Sequence, residues 1–291
     1  MVNEHKNVYA DISEQMQKLS SITAHTPIKL PNGETGYIQK NRDTLPKKDR
    51  NNDNIYLILQ FFIHPDEERN QELVYCLQQN VRLGLFTRIY LLNERIYTSE
   101  EMGLTSDEAK RIKQVNVGSR LRFMNIFQKT KEFNLDGYVV FCNSDIFFDK
   151  TILNLRRTVL SVSPSFYTLL RFDYNGQSRL GQCNLFGPRY DSQDTWIFHA
   201  KFLPKKSIWK QADFEFGKLG CDNRFTFVLA SNGYACYNEP WVIKTYHYHT
   251  SAIRNYSLHD RIPGPYVGVV PTLFAHCSFD RGIFGSLRGV M

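Results

Sequence analysis

The apolar positions of the chain fall into short continuous runs separated by amphipathic stretches. The first run, "IYLILQFFI" at 55–63, has strand length and is apolar almost throughout, the pattern of a strand covered on both faces. In the following "HPDEERNQELVYCLQQNVRLGLF", Pro65 and the acids after it suit a first helical turn, and Leu73, Leu77 and Val81 recur every four residues. "TRIYLLNE" at 87–94 predicts a second strand. "GSRLRFMNIFQKTKEFNL" predicts a second helix with Leu121, Met124 and Phe127 on successive turns, and "DGYVVFCNSDIFFD" a third strand opened by an Asp-Gly turn. The order strand, helix, strand, helix, strand predicts an α/β fold with a mostly parallel central sheet flanked by helices. Ligands of such sheets bind beyond the carboxyl ends of the strands. Asn93 and Glu94 fall at one such end, and Asn143, Ser144 and Asp145 at another.

The polar tract over 1–54, ending in "NRDTLPKKDRNNDN", predicts an N-terminal arm or linker. A single domain is expected over 55–261, followed by a Gly/Pro-containing tail over 262–291. With 42% apolar and 22% charged residues, the composition is that of an ordinary soluble protein. The net charge of +7 points to an anionic partner: nucleic acid, a membrane surface or a phosphorylated small molecule. "PKKDR" and "LPKKS" are too short and diluted for a nucleic-acid tail, and no nucleic-acid-binding motif occurs. Cysteines at 76, 142, 183, 221, 236 and 277 form no C-x-x-C pair, which argues against a cysteine zinc site. Cys76 and Cys142 lie in apolar patterns and read as buried hydrophobes, pointing to a reducing compartment. No signal-peptide core and no run of about 20 apolar residues is visible, so a cytoplasmic protein without a transmembrane segment is expected.

The polar residues at the strand ends carry the candidate chemistry. Neither G-x-G-x-x-G nor G-x-x-x-x-G-K-[ST] occurs in the strand–helix loops, so a bound phosphate needs something other than a glycine nest, such as a divalent cation. Asn143 and Asp145 offer two oxygen donors at strand spacing, with Ser144 opposite; the alternative is a turn in which both bond the backbone. Placed at a strand end, Asp145 is expected to be replaceable without loss of the fold. "KTYHYHTSAIRNY" at 244–256 puts His247 and His249 on one side, as metal ligands or as a core pair. Its flanking Lys244 and Arg254 meet phosphate or lie on the surface. Asp222, at the start of the helix predicted in "GKLGCDNRFTFVLASNGY", is either an N-cap or a carboxylate facing the cleft. In "DSQDTWIF", Asp191, Asp194 and Trp196 pair acids with an aromatic face, which holds a sugar or is simply a core Trp beside a loop.

Taken in order over roughly 55–256, these segments resemble a glycosyltransferase of the GT-A type. "CNSDIFFD" is similar to the D-x-D motif of that family, with Asn143 in place of the first Asp. The resemblance implies a donor half over 55–150, an acceptor half over 151–261, a UDP- or GDP-linked sugar donor and a glycan acceptor. It further implies Mn²⁺ or Mg²⁺ held by Asp145 with His249 or His247, the former preferred. A donor-contacting Arg maps onto Arg120 or Arg122 of "SRLRFMNIF", and the catalytic carboxylate onto Asp222 of "GCDNRF", with Asp194 next in line. Asn93, Glu94, Asn143, Ser144, Lys244 and Arg254 are then expected around the donor, and Trp196 with Asp194 around the acceptor. The alternative is a non-catalytic α/β protein that binds a nucleotide or glycan in the same cleft.

Overall fold

The continuous apolar runs become strands because both faces of the sheet are covered. Strands Ile55–Leu59 (β1), Arg88–Asn93 (β2), Ile112–Asn116 (β3) and Tyr138–Cys142 (β4) run parallel, with β1 between β2 and β4. The structure is a computed structural model describing residues 26–29, 35–40, 53–187, 189–251, 253, 257–272 and 277–279. Side chains alternate along each strand. Ile55, Leu57, Leu59 and Val140 enter one core, whereas Ile58, Val139 and Phe141 enter the other. Helix Glu67–Leu83 (α1) supplies Leu77 and Val81 to the first core, and helix Phe123–Glu132 (α2) supplies Phe123, Ile126 and Phe127 to the second. Asp66 caps α1 by accepting from the Arg69 N–H, and Gly84 ends it in the left-handed region at φ 70°.

Beyond β4 the chain makes a short strand, Ile146–Phe148 (β5), then Ser165–Leu169 (β6), Phe172–Tyr174 (β7), Asn184–Leu185 (β8) and Thr195–His199 (β9). Two helices follow, Lys206–Gln211 (α3) and Cys221–Ser231 (α4), and then strands Ala235–Tyr237 (β10) and Thr245–Tyr248 (β11). The central sheet has seven strands in the order β10–β6–β9–β4–β1–β2–β3, and only β9 pairs antiparallel with its neighbours. A second sheet of four strands, β8–β7–β11–β5, branches off where the chain leaves β4. This is the mixed α/β architecture, with a mostly parallel sheet between helices, that the sequence predicts.

Several details differ from the sequence reading. The run at 55–63 stops being a strand at Leu59, and Gln60 to Ile63 form a loop. Helix α2 starts at Phe123 rather than near 118. Strand β3 was not expected: "IKQVN" is half polar because it is an edge strand, only partly covered. Most of the expected N-terminal arm and C-terminal tail lies outside the described residues. Three short strands there, Thr26–Lys29, Thr35–Lys40 and Cys277–Phe279, pair antiparallel. Among the described residues no helix is long and apolar enough to cross a membrane.

Candidate active site

The turn after β4 brings the two chemical segments together. Ile146 N–H donates to Asn143 O at 3.3 Å, and the chain turns into β5, which pairs antiparallel with β11 in the register His247↔Ile146. That register sets the histidine segment against the turn. His247 Nε2 lies 3.2 Å and His249 Nδ1 3.6 Å from Asp145 Oδ2. Asp145, His247 and His249 each offer a ligand atom, all within 4.8 Å of one another, so the group could hold a metal ion.

Each ring faces an oxygen acceptor from behind, His249 within hydrogen-bond distance and His247 beyond it. His247 Nδ1 lies 3.8 Å from Asp173 Oδ1, and His249 Nε2 is 2.8 Å from Ile253 O. A carbonyl only accepts, so His249 Nε2 carries a proton and donates to Ile253 O. A carboxylate or carbonyl behind each ring is the support that metal-binding histidines use. Asp145 Oδ1 and Asn143 Oδ1, both on the turn after β4, are buried without a hydrogen-bond partner among the described residues. A buried polar atom left so costs about 1–3 kcal/mol. One carboxylate and two imidazoles are a donor set for a divalent ion that accepts nitrogen as well as oxygen, with water completing its shell.

Helix α1 reaches this turn through residues the sequence reading passed over. Arg69 Nη2 donates to Asp145 Oδ2 at 2.5 Å and Nη1 to Glu72 Oε2 at 2.7 Å. Glu72 Oε1 accepts from the N–H groups of Thr250 (2.6 Å) and Ser251 (2.9 Å), tying down the segment after His249. Burial works against the Asp145 charge, but His247, His249 and Arg69 outweigh it and hold the carboxyl well below its usual range. Asp145 is 8% exposed and Arg69 6%. Asp145 is therefore half of a buried ion pair, not an exposed strand-end residue, so replacing it should cost stability.

A cavity of about 190 Å³ opens over this cluster, also lined by Gln60, Phe62, Arg120, Ser144, Arg171 and Asp194. Arg120 donates to Phe216 O (2.8 Å) and Gly217 O (3.1 Å) and has no carboxylate partner among the described residues, which leaves its charge to the cavity. Gly217 sits at φ 63°, and a Cβ there would stand 2.8 Å from Arg120 Nη2. The left-handed backbone favours glycine, and a Cβ there would displace the Arg120 guanidinium. Arg171 Nη1 donates to Asp194 Oδ2 at 2.5 Å, and Asn143 Nδ2 donates to Asp194 Oδ1 at 2.8 Å. This contact explains Asn143: an Asp there would set two carboxylates against each other, whereas the amide donates to Asp194 and keeps an oxygen for the cleft.

A second cavity, about 480 Å³, shares Asn143, Arg171, Asp194 and Gly217 with the first and contains Asp222. Gly220, at φ 77°, occupies the N-cap position of α4, and Asp222 is the second residue of the helix. It is thus not the cap that sequence left open. Its Oδ2 accepts from Gln193 N–H at 3.1 Å and its Oδ1 from Asn223 Nδ2 at 3.2 Å. Burial pushes the Asp222 carboxyl up to about 6 and the Asp194 charge adds to the rise, while backbone N–H groups of Gln193 and Asn223 oppose it.

The remaining expected residues scatter. Asn93 is fully buried, its Oδ1 accepting from Phe61 N–H and its Nδ2 donating to Gln114, so it braces the cavity wall and cannot touch a ligand. Glu94 accepts from Gln60 Nε2 at 2.9 Å and from the Tyr97 hydroxyl, and lines neither cavity. Ser144 borders the first cavity, but its hydroxyl donates to Gln60 O at 2.7 Å. Arg122 pairs with Asp213 at 2.5 Å and, like Lys244, lines neither cavity; the Lys244 Nζ lies 5.5 Å from the Phe172 ring centroid. Trp196 is 0% exposed, stacked on Phe141 at 5.7 Å and set edge-on to Phe123 at 5.0 Å. No face of it is open to a sugar, so the acceptor role expected of Trp196 is replaced by the core one. Arg254 lies outside the described residues.

No model of a known protein family matches the sequence, and no curated protein matches it. Among solved structures, 4-diphosphocytidyl-2C-methyl-D-erythritol synthase from Anaerococcus prevotii is 16% identical, covering 72% of this chain and 94% of that one at a TM-score of 0.39. A cytidylyltransferase from Leptospira borgpetersenii is 13% identical, covering 70% and 79% at a TM-score of 0.39. Likeness at that level carries no argument about activity, which rests on the site alone.

Proposed function

We propose that the chain is a metal-dependent glycosyltransferase that moves a sugar from a UDP- or GDP-linked donor to a hydroxyl of a glycan acceptor. The observation that carries this reading is the cluster of Asp145, His247 and His249, whose ligand atoms lie within 4.8 Å of one another, with Asp145 Oδ1 buried without a hydrogen-bond partner among the described residues. Asp145, His247 and His249 would hold Mn²⁺ or Mg²⁺, which when bound supplies Lewis-acid charge to the donor diphosphate. Arg120, fixed by two carbonyls, presents a guanidinium to phosphate oxygens. Of the two candidate bases, Asp194 has one oxygen engaged by Arg171 and the other by Asn143. Asp222 has no cation paired with it among the described residues, accepting from backbone N–H groups and the Asn223 amide, and its carboxyl, pushed up to about 6, is ionised at neutral pH yet basic enough to take a proton. Asp222 is thus the general base for the acceptor hydroxyl, in the larger cavity, while Arg171 and Asn143 hold Asp194 between the two.

The test is donor hydrolysis. The protein is incubated with a panel of UDP- and GDP-sugars and Mn²⁺, and nucleotide release is followed. Slow release from one donor, abolished by EDTA, is expected. Donors that bind but are never hydrolysed or transferred would leave a binding protein instead.

A further inference from the structure

Two charged side chains of the second cavity have no partner of opposite charge among the described residues, Asp222 and Arg261. The other charges on its wall are matched. Arg189 is held on both Asp191 oxygens, at 2.6 and 2.7 Å, and Arg171 on Asp194 at 2.5 Å. Lys218 meets Asp260 at 3.1 Å and Glu215 at 3.9 Å. Arg261 is exposed, yet it is tethered. Its Nε donates to the Tyr266 hydroxyl at 3.0 Å, and its guanidinium lies 4.9 Å from the centroid of that ring. The segment that carries both residues is stitched to the cavity walls. Ile262 N–H donates to Leu219 O at 2.9 Å, Val267 N–H to Asn223 O at 3.0 Å and Val269 N–H to Tyr190 O at 2.9 Å. Tyr266 stands over Gly220, where a Cβ would come within 3.1 Å of the ring. Gly220 in turn caps α4, the helix that carries Asp222. Arg261 and Asp222 are thus fixed on one cavity, and the Nη1 and Nη2 donors of Arg261 are unused among the described residues.

We propose that the acceptor is an anionic sugar, whose carboxylate or phosphate is held by Arg261 while its reacting hydroxyl reaches Asp222. This rests on the transferase reading above and adds the chemical class of its acceptor. A guanidinium tethered at Nε presents its two Nη groups as a planar fork, which matches two oxygens of a carboxylate or phosphate. The tether also lowers the ordering cost of binding. Arg171, Arg189 and Lys218 already have carboxylate partners, so Arg261 is the cation of this wall that an incoming anion completes. Tyr190, 36% exposed on the same cavity, offers an apolar surface to the sugar ring. The net charge of +7 draws such an acceptor toward the protein.

The test titrates the full chain with glucose, glucuronic acid and glucose 6-phosphate, which present one ring with no charge, a carboxylate or a phosphate. Binding is read from the proton resonances of the sugars. At least one charged sugar should bind about tenfold more tightly than glucose, the scale of a charge-assisted hydrogen bond, and the one that does identifies the anion. Arg261→Gln should remove that preference. Arg261→Lys, which keeps the charge without the fork, should retain part of it. Both variants should fold as wild type by circular dichroism, because the side chain is exposed and Tyr266 keeps its own bond to Ile262 O. A wild type that binds neither charged sugar more tightly than glucose overturns the proposal. So does a preference that survives Arg261→Gln, which would put the anion on another cation such as Arg120. Failure here with Mn²⁺-dependent donor hydrolysis intact removes the anionic acceptor and leaves the transferase reading. An Arg261-dependent preference in a protein that hydrolyses no donor keeps the anion site and removes its role in transfer.

Discussion

Replacing Asp145 by Asn tests whether the ligand cluster is also a structural element. The carboxylate is 8% exposed, its partner Arg69 is 6% exposed, and they meet at 2.5 Å. Removing one member of a buried ion pair typically costs about 3–5 kcal/mol, because the other charge stays behind unpaired. Two features place the cost at the low end. Glu72 remains on the other arm of Arg69, and the cavity beside the pair can admit water. A loss of about 3 kcal/mol is expected. At about 2–4 °C per kcal/mol for a domain of this size, the melting temperature should fall by about 6–12 °C. The assay is thermal and urea unfolding in EDTA, so that no bound metal contributes. A cycle with Arg69→Gln isolates the pair, and the double variant should lose less than the sum of the two single losses, by about 2 kcal/mol. An Asp145→Asn protein melting within about 2 °C of wild type, or strictly additive losses, would refute the buried-pair argument.

Asp222→Asn should lower turnover by about 10²–10⁴-fold, the usual contribution of a general base, with little change in melting temperature, because Gly220 rather than Asp222 holds the cap position. In wild type the rate should rise with pH through about 6, following the Asp222 carboxyl, and steady-state kinetics across pH would show that limb absent from the variant. Asn143→Asp restores the D-x-D pattern yet should destabilise the protein at pH 8, since it replaces a 2.8 Å hydrogen bond to Asp194 with carboxylate repulsion; melts at pH 8 should show the loss, shrinking at pH 4. Glu239 is buried, the Tyr167 hydroxyl donates to its carboxylate at 2.5 Å, and burial raises its carboxyl from 4.5 to about 8. The folded state thus holds this proton more tightly than the unfolded chain, so its contribution is complete below pH 4.5 and lost as pH rises to about 8. Melting temperatures across that window should fall less steeply in Glu239→Gln, and parallel pH curves would reject the assignment.

The parts of this molecule legible in sequence are those with a repeating physical signal. Continuous apolar runs identify β1, β2 and β4 because both faces are covered, and the four-residue recurrence identifies α1. The abrupt change from Cys142 to Asn143 marks the ligand side of the sheet. Strand β3 carried no such signal, being an edge strand of mixed polarity. Trp196 misled because local sequence places acids beside it but cannot show that β9 threads between β4 and β6, which buries the ring against Phe141. Arg69 carries no local signal that separates it from any other helix charge: its partner Asp145 is 76 residues away. Arg171 could have been found, since "SFYTLLRFD" shows the same apolar run passing into charge that marks Asn143–Asp145.

The most direct test of the central claim is anomalous diffraction from crystals of the wild-type protein soaked with Mn²⁺ and UDP or GDP. The account predicts one manganese peak bonded to Asp145 and to at least one of His247 and His249, with phosphate oxygens completing its shell and Arg120 against the diphosphate. Bound nucleotide with no manganese at this cluster, or with manganese held elsewhere, would contradict it.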